Sequence, residues 1–385
     1  MYPFKAMRRR PLSMLIAMVV LAWAGIYLML NSPSFYDEPL AVIINQTQLD
    51  QEVITDETES VDTIYRNEIN VRLLNTAFKG EQLTLMYQYS DSKVYHDALA
   101  VGDEVFISLR ETAEGLSGEV VDEKRDQPVL FLLVAFLLVM IVIGRKEGLF
   151  AMVSLALNTA IMAMLIWYFV ANEGSSLLAL MGIAVILMTV TSLFFVSGIT
   201  YKTWASVCAT LLGTGVMLLI SLIVLDATHH AGLRFEEMGF LTRHPEAVFT
   251  AGILVGALGA VMDVAVTINS SLFSLYQQDP TISYRQLRKA GQAIGEDIMG
   301  TMTNIIFFAY ISGTIPTLLI YLLNDAPLGF VLEMNLSLEL VRALSGGIGI
   351  VLSIPISLSV SLLFIRFMRK KQSATAHEEV NTWTH

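Results

Sequence analysis

Residues 252–271 read GILVGALGAVMDVAVTINSS, twenty positions carrying one ionisable side chain, Asp263. Wound as a helix at 1.5 Å per residue, such a stretch covers roughly 30 Å, the hydrocarbon thickness of a bilayer. In lipid every backbone N–H and C=O must be satisfied within the segment, so this run predicts a membrane-spanning helix. Working outward, comparable apolar runs occupy Leu12–Leu30, Val129–Ile143, Leu149–Val170, Leu177–Val196, Trp204–Leu225, Val248–Leu275, Ile298–Leu323 and Leu336–Phe367. Eight spans are therefore expected. The fold class that follows is an α-helical integral membrane bundle, interrupted once by a water-exposed insertion.

The composition agrees. Only 15% of the 385 residues are charged and the mean hydropathy is +0.60, against about 25% charged in soluble domains. The net charge of −11 is unevenly spread. Residues 31–127 hold 20 acids and 7 bases, while the rest of the chain is nearly neutral. Nothing there suits nucleic acid. The division expected is a basic N-terminus and anchor (1–30), an acidic domain (31–127), a seven-helix bundle (128–368) and a tail (369–385). The Leu12–Leu21 stretch followed by Ala22-Trp23-Ala24 also resembles a secretory signal. The run continues through Leu30, however, which favours an uncleaved anchor.

Lys and Arg between spans set orientation. With the N-terminus inside, 14 bases fall on the cytoplasmic side, from Lys5 and Arg8–Arg10 to Lys370 and Lys371. The short outer loops hold Arg234 and Arg243, with Arg342 just inside the last span. The expectation is a bacterial cell-membrane protein with both termini cytoplasmic and residues 31–127 outside.

That outer segment alternates with period two over Ile69–Leu73, Leu83–Tyr89 and Val105–Leu109, more weakly over Leu116–Val121, with an earlier strand at Ala41–Ile44. Such patterning predicts short antiparallel strands, and a small all-β domain, an OB-like barrel, is expected. The one cysteine, Cys208, excludes an internal disulfide. His96 stands alone, and His229, His230 and His244 in an outer loop lack converging ligands, so no metal or cofactor is expected. No nucleophile–base arrangement is visible, and enzymatic activity is not expected.

Ionisable residues inside a membrane are costly and so draw attention. Asp263, Thr267, Ser270 and Ser271 lie on one helical face, with Asn269 beside it. The next span opens Gly295-Glu296-Asp297 and continues Gly300-Thr301-Met302-Thr303-Asn304; Asp297, Thr301 and Asn304 share a face, and Glu296, Thr303 and Tyr310 another. Asp263 is either a structural acid bonded to neighbouring helices or the binding group of a polar cavity formed by the last three helices. Carboxylate, hydroxyl and amide ligands would suit a proton, a hard cation or a small solute. Gly252, Gly256, Gly259, Gly300, Gly346 and Gly349 are candidates for close helix packing, and Pro316 and Pro355 for hinges or kinks. Glu339 and Arg342 form a self-neutralising i, i+3 pair. Ser154 and Asn158 suggest a helix–helix contact, and basic Ser283–Ile294 a short surface helix drawn to anionic lipid.

Three motifs, Gly256-Ala-Leu-Gly-Ala-Val-Met-Asp263-Val-Ala, Gly300-Thr-Met-Thr-Asn304 and the Gly347–Pro355 pattern, resemble the YibE/F-like family of bacterial membrane proteins. The resemblance covers most of the chain from about Gly144. It implies one N-terminal span, an extracytoplasmic β-rich segment and a bundle of seven, with transport the usual expectation. The expected function is a transporter or permease component moving a small solute or ion. The alternative is a membrane-anchored sensor or assembly scaffold whose outer domain binds a protein partner.

Overall fold

The computed structural model describes residues 21, 23–55, 61–93, 96–112, 115–172, 174–238 and 245–382, with side chains to Lys371. The basic N-terminus, most of the Leu12–Leu30 run, Arg243 and His244 lie outside the described residues. Residues 23–30 are helical (α1). The chain divides into two compact units, Met1–Leu149 and Phe150–His385.

The first unit is built on a five-stranded sheet: β1 (Leu40–Thr55), β2 (Val61–Leu73), β3 (Gln82–Ser90), β4 (Glu104–Thr112) and β5 (Gly115–Glu123). The strand order is β3-β2-β1-β4-β5, with every pairing antiparallel. All the alternating runs read from the sequence are strands, because burying one face of a pleated strand selects alternate residues. In β3, Leu83, Leu85 and Tyr87 face the core while Thr84 and Met86 are exposed. They meet Ile43, Ile69, Val71, Val105 and Ile107 in one cluster. A Cβ built on Gly118 of β5 would lie 3.7 Å from Leu85 of β3, so the two ends of the sheet curl together. This order and curl are those of a partly open five-stranded barrel.

Buried Asn75 stitches the incoming chain to this sheet. Its amide donates to the carbonyls of Pro33, Tyr36 and Glu38, and its oxygen accepts from the Leu40 N–H at 2.7 Å. Lys124, buried, pairs with Glu104 at 2.5 Å and lies over the Tyr36 ring. The Tyr36 hydroxyl donates to Asp126, and burial together with that carboxylate pushes the phenol well above its ordinary value.

The helices that follow are α2 (Asp126–Ala171), α3 (Leu177–Ser197), α4 (Tyr201–Ala227), α5 (Pro245–Gln278), α6 (Tyr284–Ser312), α7 (Ile315–Leu323) and α8 (Leu328–Thr382). Among the described residues five are long and apolar enough to cross a membrane, or six if the bent pair α6–α7 is one span. The difference from eight expected runs lies in the first, Leu12–Leu30, which falls mostly outside the described residues, and in two breaks. Val129–Ile143 and Leu149–Val170 are two arms of α2, parted at Arg145, where φ is 50° and ψ −116°. Ile298–Leu323 is bent by 47° between α6 and α7, with Pro316 in the first turn of α7. Pro355 lies within α8, which runs on through it.

One local expectation is corrected. Ser283–Ile294 is not a separate surface helix: Ser283 and Gln286 form a capping box that starts α6, and the helix continues unbroken to Ser312. Leu287 and Gly291 are buried, and a Cβ on Gly291 would touch Leu272 of α5 and Leu358 of α8. Packing, rather than charge, decides the placement of this segment.

Candidate functional site

Helix α8 is the element around which the second unit is assembled, packing against α4, α5 and α6. Small residues permit it. A Cβ on Gly213 of α4 would stand 3.2 Å from Val261 of α5 and 3.6 Å from Ser353 of α8. One on Gly349 of α8 would stand 2.9 Å from Val261 and 3.0 Å from Met217 of α4. Val261 therefore fills a hole lined by two glycines from different helices. Successive residues turn by about 100°, so Asp263, two positions on, points to nearly the opposite side of α5.

That side is the one Gly256 occupies, seven residues earlier and about 20° away. Gly256 is covered by Tyr310 of α6, whose hydroxyl occupies the space a Cβ would need. Leu272 lies against Gly291, so α5 and α6 run antiparallel and Asp263 is level with residues 301–303. On α6, Thr303 and Glu296 share the face of Tyr310, whereas Thr301, Asp297 and Asn304 turn away from it. Asp297, Thr301 and Asn304 are exposed. The residues brought to the flank of Asp263 are thus Thr303, Tyr310 and Glu296, with Gln292 donating to Glu296 at 2.9 Å.

Asp263 is exposed on this flank, and among the described residues no protein group hydrogen-bonds or ion-pairs with its carboxylate. Thr267, one turn on, is exposed beside it. Thr303 reaches α8, its methyl 3.4 Å from where a Cβ on Gly347 would be, and its hydroxyl is buried without a partner. Above Tyr310, Arg342 pairs with Glu339 as the spacing predicts. The guanidinium lies over Phe249 at 5.1 Å, with its Nε 3.6 Å from where a Cβ on Gly252 would be. By helical register, Arg342 and Glu339, Tyr310, Thr303 and Asp263 thus follow one another along α5, α6 and α8.

The remaining expected positions fall elsewhere. Asn269 is fully buried on the far side of α5; it donates to the Ala265 carbonyl at 2.7 Å and accepts from Ser361 of α8. Gly346 makes a close contact with Ile306, but the positions of a Cβ on Gly259 and Gly300 are open. Asn158 donates to Ser192 at 2.7 Å and accepts from Thr191 at 3.0 Å, joining α2 to α3. His229 and His230 sit in the turn after α4, and no group of three metal ligands occurs among the described residues.

Sequence reasoning missed a second polar seam. Thr210 and Thr214 of α4 and Ser357 of α8 are buried, and among the described residues their hydroxyls have no partner. The contacts of Gly213 with Ser353 and Met217 with Gly349 set an antiparallel register that brings Thr210 level with Ser357. It also missed Gly291-x-x-x-Gly295 on α6, where a Cβ on Gly295 would fall 2.4 Å from Ile354 of α8. The four-residue glycine spacing was its available signal.

Among curated proteins and among solved structures nothing matches this chain. Two family models do: that of the YibE/F family N-terminal domain matches residues 34–123, over the β-sheet, and that of the YibE/F-like protein matches residues 132–367, over the helices. With the five-stranded domain and the helical bundle both matched, the chain belongs to the YibE/F family of membrane proteins.

Proposed function

We propose that the bundle is a transporter or permease component that carries a cation, a proton or a small solute along the polar file of α5, α6 and α8. The observation that carries this reading is the unpartnered carboxylate of Asp263 within an apolar helix. A structural acid at that depth would be held by hydroxyl or amide donors, because an unpaired polar group in hydrocarbon is costly. A group left open to an exchangeable ligand has the opposite requirement. Thr303, with its free hydroxyl, and Tyr310 would complete the lining, and the α6–α7 bend at Pro316 supplies a discontinuous helix of the kind that borders transport sites.

The test is ion flux in proteoliposomes, driven by a potassium diffusion potential and read with a pH-sensitive dye and with sodium and rubidium tracers. Asp263→Asn should abolish or uncouple the flux while elution and melting stay unchanged. Wild-type flux in a folded Asp263→Asn variant removes Asp263 from the mechanism. The scaffold reading is favoured by a different feature, the unpaired edge of β1. Deleting residues 36–125 discriminates: loss of partner capture with intact flux supports the scaffold, and the reverse supports transport.

A further inference from the structure

Strand β1 runs for 16 residues, but its two edges are used very differently. One edge pairs with β2 from Ala41 to Thr55. On the other, β4 pairs with Leu40–Val42 alone, and the backbone of Ile43 still bonds Gly102 and Asp103. From Ile44 to Thr55 nothing among the described residues pairs with this second edge. That leaves about 40 Å of strand, at 3.3 Å per residue, with no strand paired to this edge among the described residues, though the Gln51 N–H donates to the Asp50 carboxylate at 2.9 Å. Beyond Ile43 the strand is almost entirely exposed, including Leu49 at 52% and Val53 at 62%.

Open edges are normally blunted by charged side chains, above all lysine, by proline, by bulges or by extreme shortness. Residues 44–55 contain no lysine or proline, and although bulges shift the register at Ile43/Asn45 and Gln48/Asp50, pairing with β2 continues to Thr55. The edge instead carries Asp50 and Glu52, with Asp62 on the neighbouring strand and Arg66 as the base that reaches both edge acids. The charge decides the occupant. A second copy adding antiparallel about an axis near Gln51 would bring these acids against their own counterparts, and in any register it would set two domains of 20 acids to 7 bases against each other. Like charges directly opposite destabilise a strand pair.

We propose that the Ile44–Thr55 edge of β1 is a strand-addition site for an extended, lysine- or arginine-bearing segment of a partner protein. Backbone hydrogen bonds supply the affinity, Asp50 and Glu52 select a basic strand, and Leu49 and Val53 take its apolar side chains. The inference is independent of transport by the bundle.

The test uses the full chain in phosphatidylcholine nanodiscs and a labelled peptide alternating threonine and lysine. Fluorescence anisotropy reads binding, and hydrogen exchange reads protection. The lysine peptide should bind and slow exchange across residues 44–55. The same peptide N-methylated at alternate amides should bind about tenfold more weakly or worse, having lost its main-chain bonds. A glutamate counterpart should not bind, and Asp50→Asn with Glu52→Gln should weaken the lysine peptide several-fold. Equal binding of the methylated peptide would reduce the site to non-directional charge attraction and overturn the proposal. So would protection outside 44–55, no binding at all, or concentration-dependent protection of the same edge without peptide, which would make a second copy the occupant.

Discussion

Gly295→Ala should destabilise the bundle, although alanine is the better helix former. The added Cβ would lie 2.4 Å from Ile354 Cγ2, 3.1 Å from Cγ1 and 3.2 Å from Cδ1. Carbon atoms pack best at about 3.5–4.0 Å, so either α6 and α8 part by about 1 Å or Ile354 leaves its rotamer. Cγ2 is the branch methyl, fixed by a stiff χ1 in a helix, and cannot swing aside as a chain end would. Overpacking of this kind costs about 1–3 kcal/mol. A 2.4 Å approach to a stiff branch methyl belongs in the upper part of that range, about 2–3 kcal/mol; relief of the glycine's helix penalty returns about 1 kcal/mol, and the net loss should be about 1–2 kcal/mol. Gly300→Ala, on the same helix but facing open space, should be neutral or stabilising by up to about 1 kcal/mol. Unfolding in a mild detergent followed by circular dichroism measures both. In an Ile354→Ala background the Gly295→Ala penalty should vanish, giving a coupling of about 1–3 kcal/mol. The packing argument fails if Gly295→Ala is as stable as wild type, or if its penalty persists without the isoleucine branch.

Thr303→Val removes a buried hydroxyl that bonds nothing, so stability should hold or rise by about 1 kcal/mol; flux should fall in the proteoliposome assay if the hydroxyl lines the path. Asn75→Ala orphans the Leu40 N–H and three carbonyls, and should cost the sheet on the order of 2–3 kcal/mol, seen as lost amide protection in β1. Hydrogen bonds from Ser92 hold the Asp62 carboxyl below its ordinary 3.8, and the bond from Lys93 does the same for Asp97. Both folded values lie below the unfolded one, so their contribution is present above about pH 3.8 and lost as pH falls through the lowered values. Near-ultraviolet circular dichroism of the stacked Tyr65 and Tyr89 should therefore weaken as the solution is taken below pH 3.8 and remain flat above it.

Much of the architecture was legible because it rests on local periodicity. Twenty apolar residues in a row have one stable form in lipid, and alternation over Leu83–Tyr89 has one stable form in a half-buried sheet. The break at Arg145 was foreshadowed by Gly144 and the charges that follow it. The Ser283-x-x-Gln286 pattern marked a helix start locally, but nothing local marked α6 as continuous to Ser312, because the burial of Leu287 and Gly291 depends on neighbouring helices, with Leu272 of α5 and Leu358 of α8 over Gly291. At the candidate site, Asp263 stood out by composition alone, but its neighbours did not. Asp297, Thr301 and Asn304 (i, i+4, i+7) and Glu296, Thr303 and Tyr310 (i, i+7, i+14) each satisfy a helical repeat, and spacing cannot say which face turns toward another helix.

By itself, the sequence determined that the chain crosses a membrane repeatedly, carries an acidic β domain and holds one carboxylate deep in an apolar run. Each follows from the transfer energetics of individual residues and the repeat of a single element. The tertiary structure decided which face of each helix is inside. Val261 enters the hole left by Gly213 and Gly349, and that one packing choice turns Asp263 outward, away from the buried hydroxyls of α4 and α8 and toward the flank of Thr303 and Tyr310. Such choices rest on contacts between residues far apart in the chain, and no local pattern encodes them.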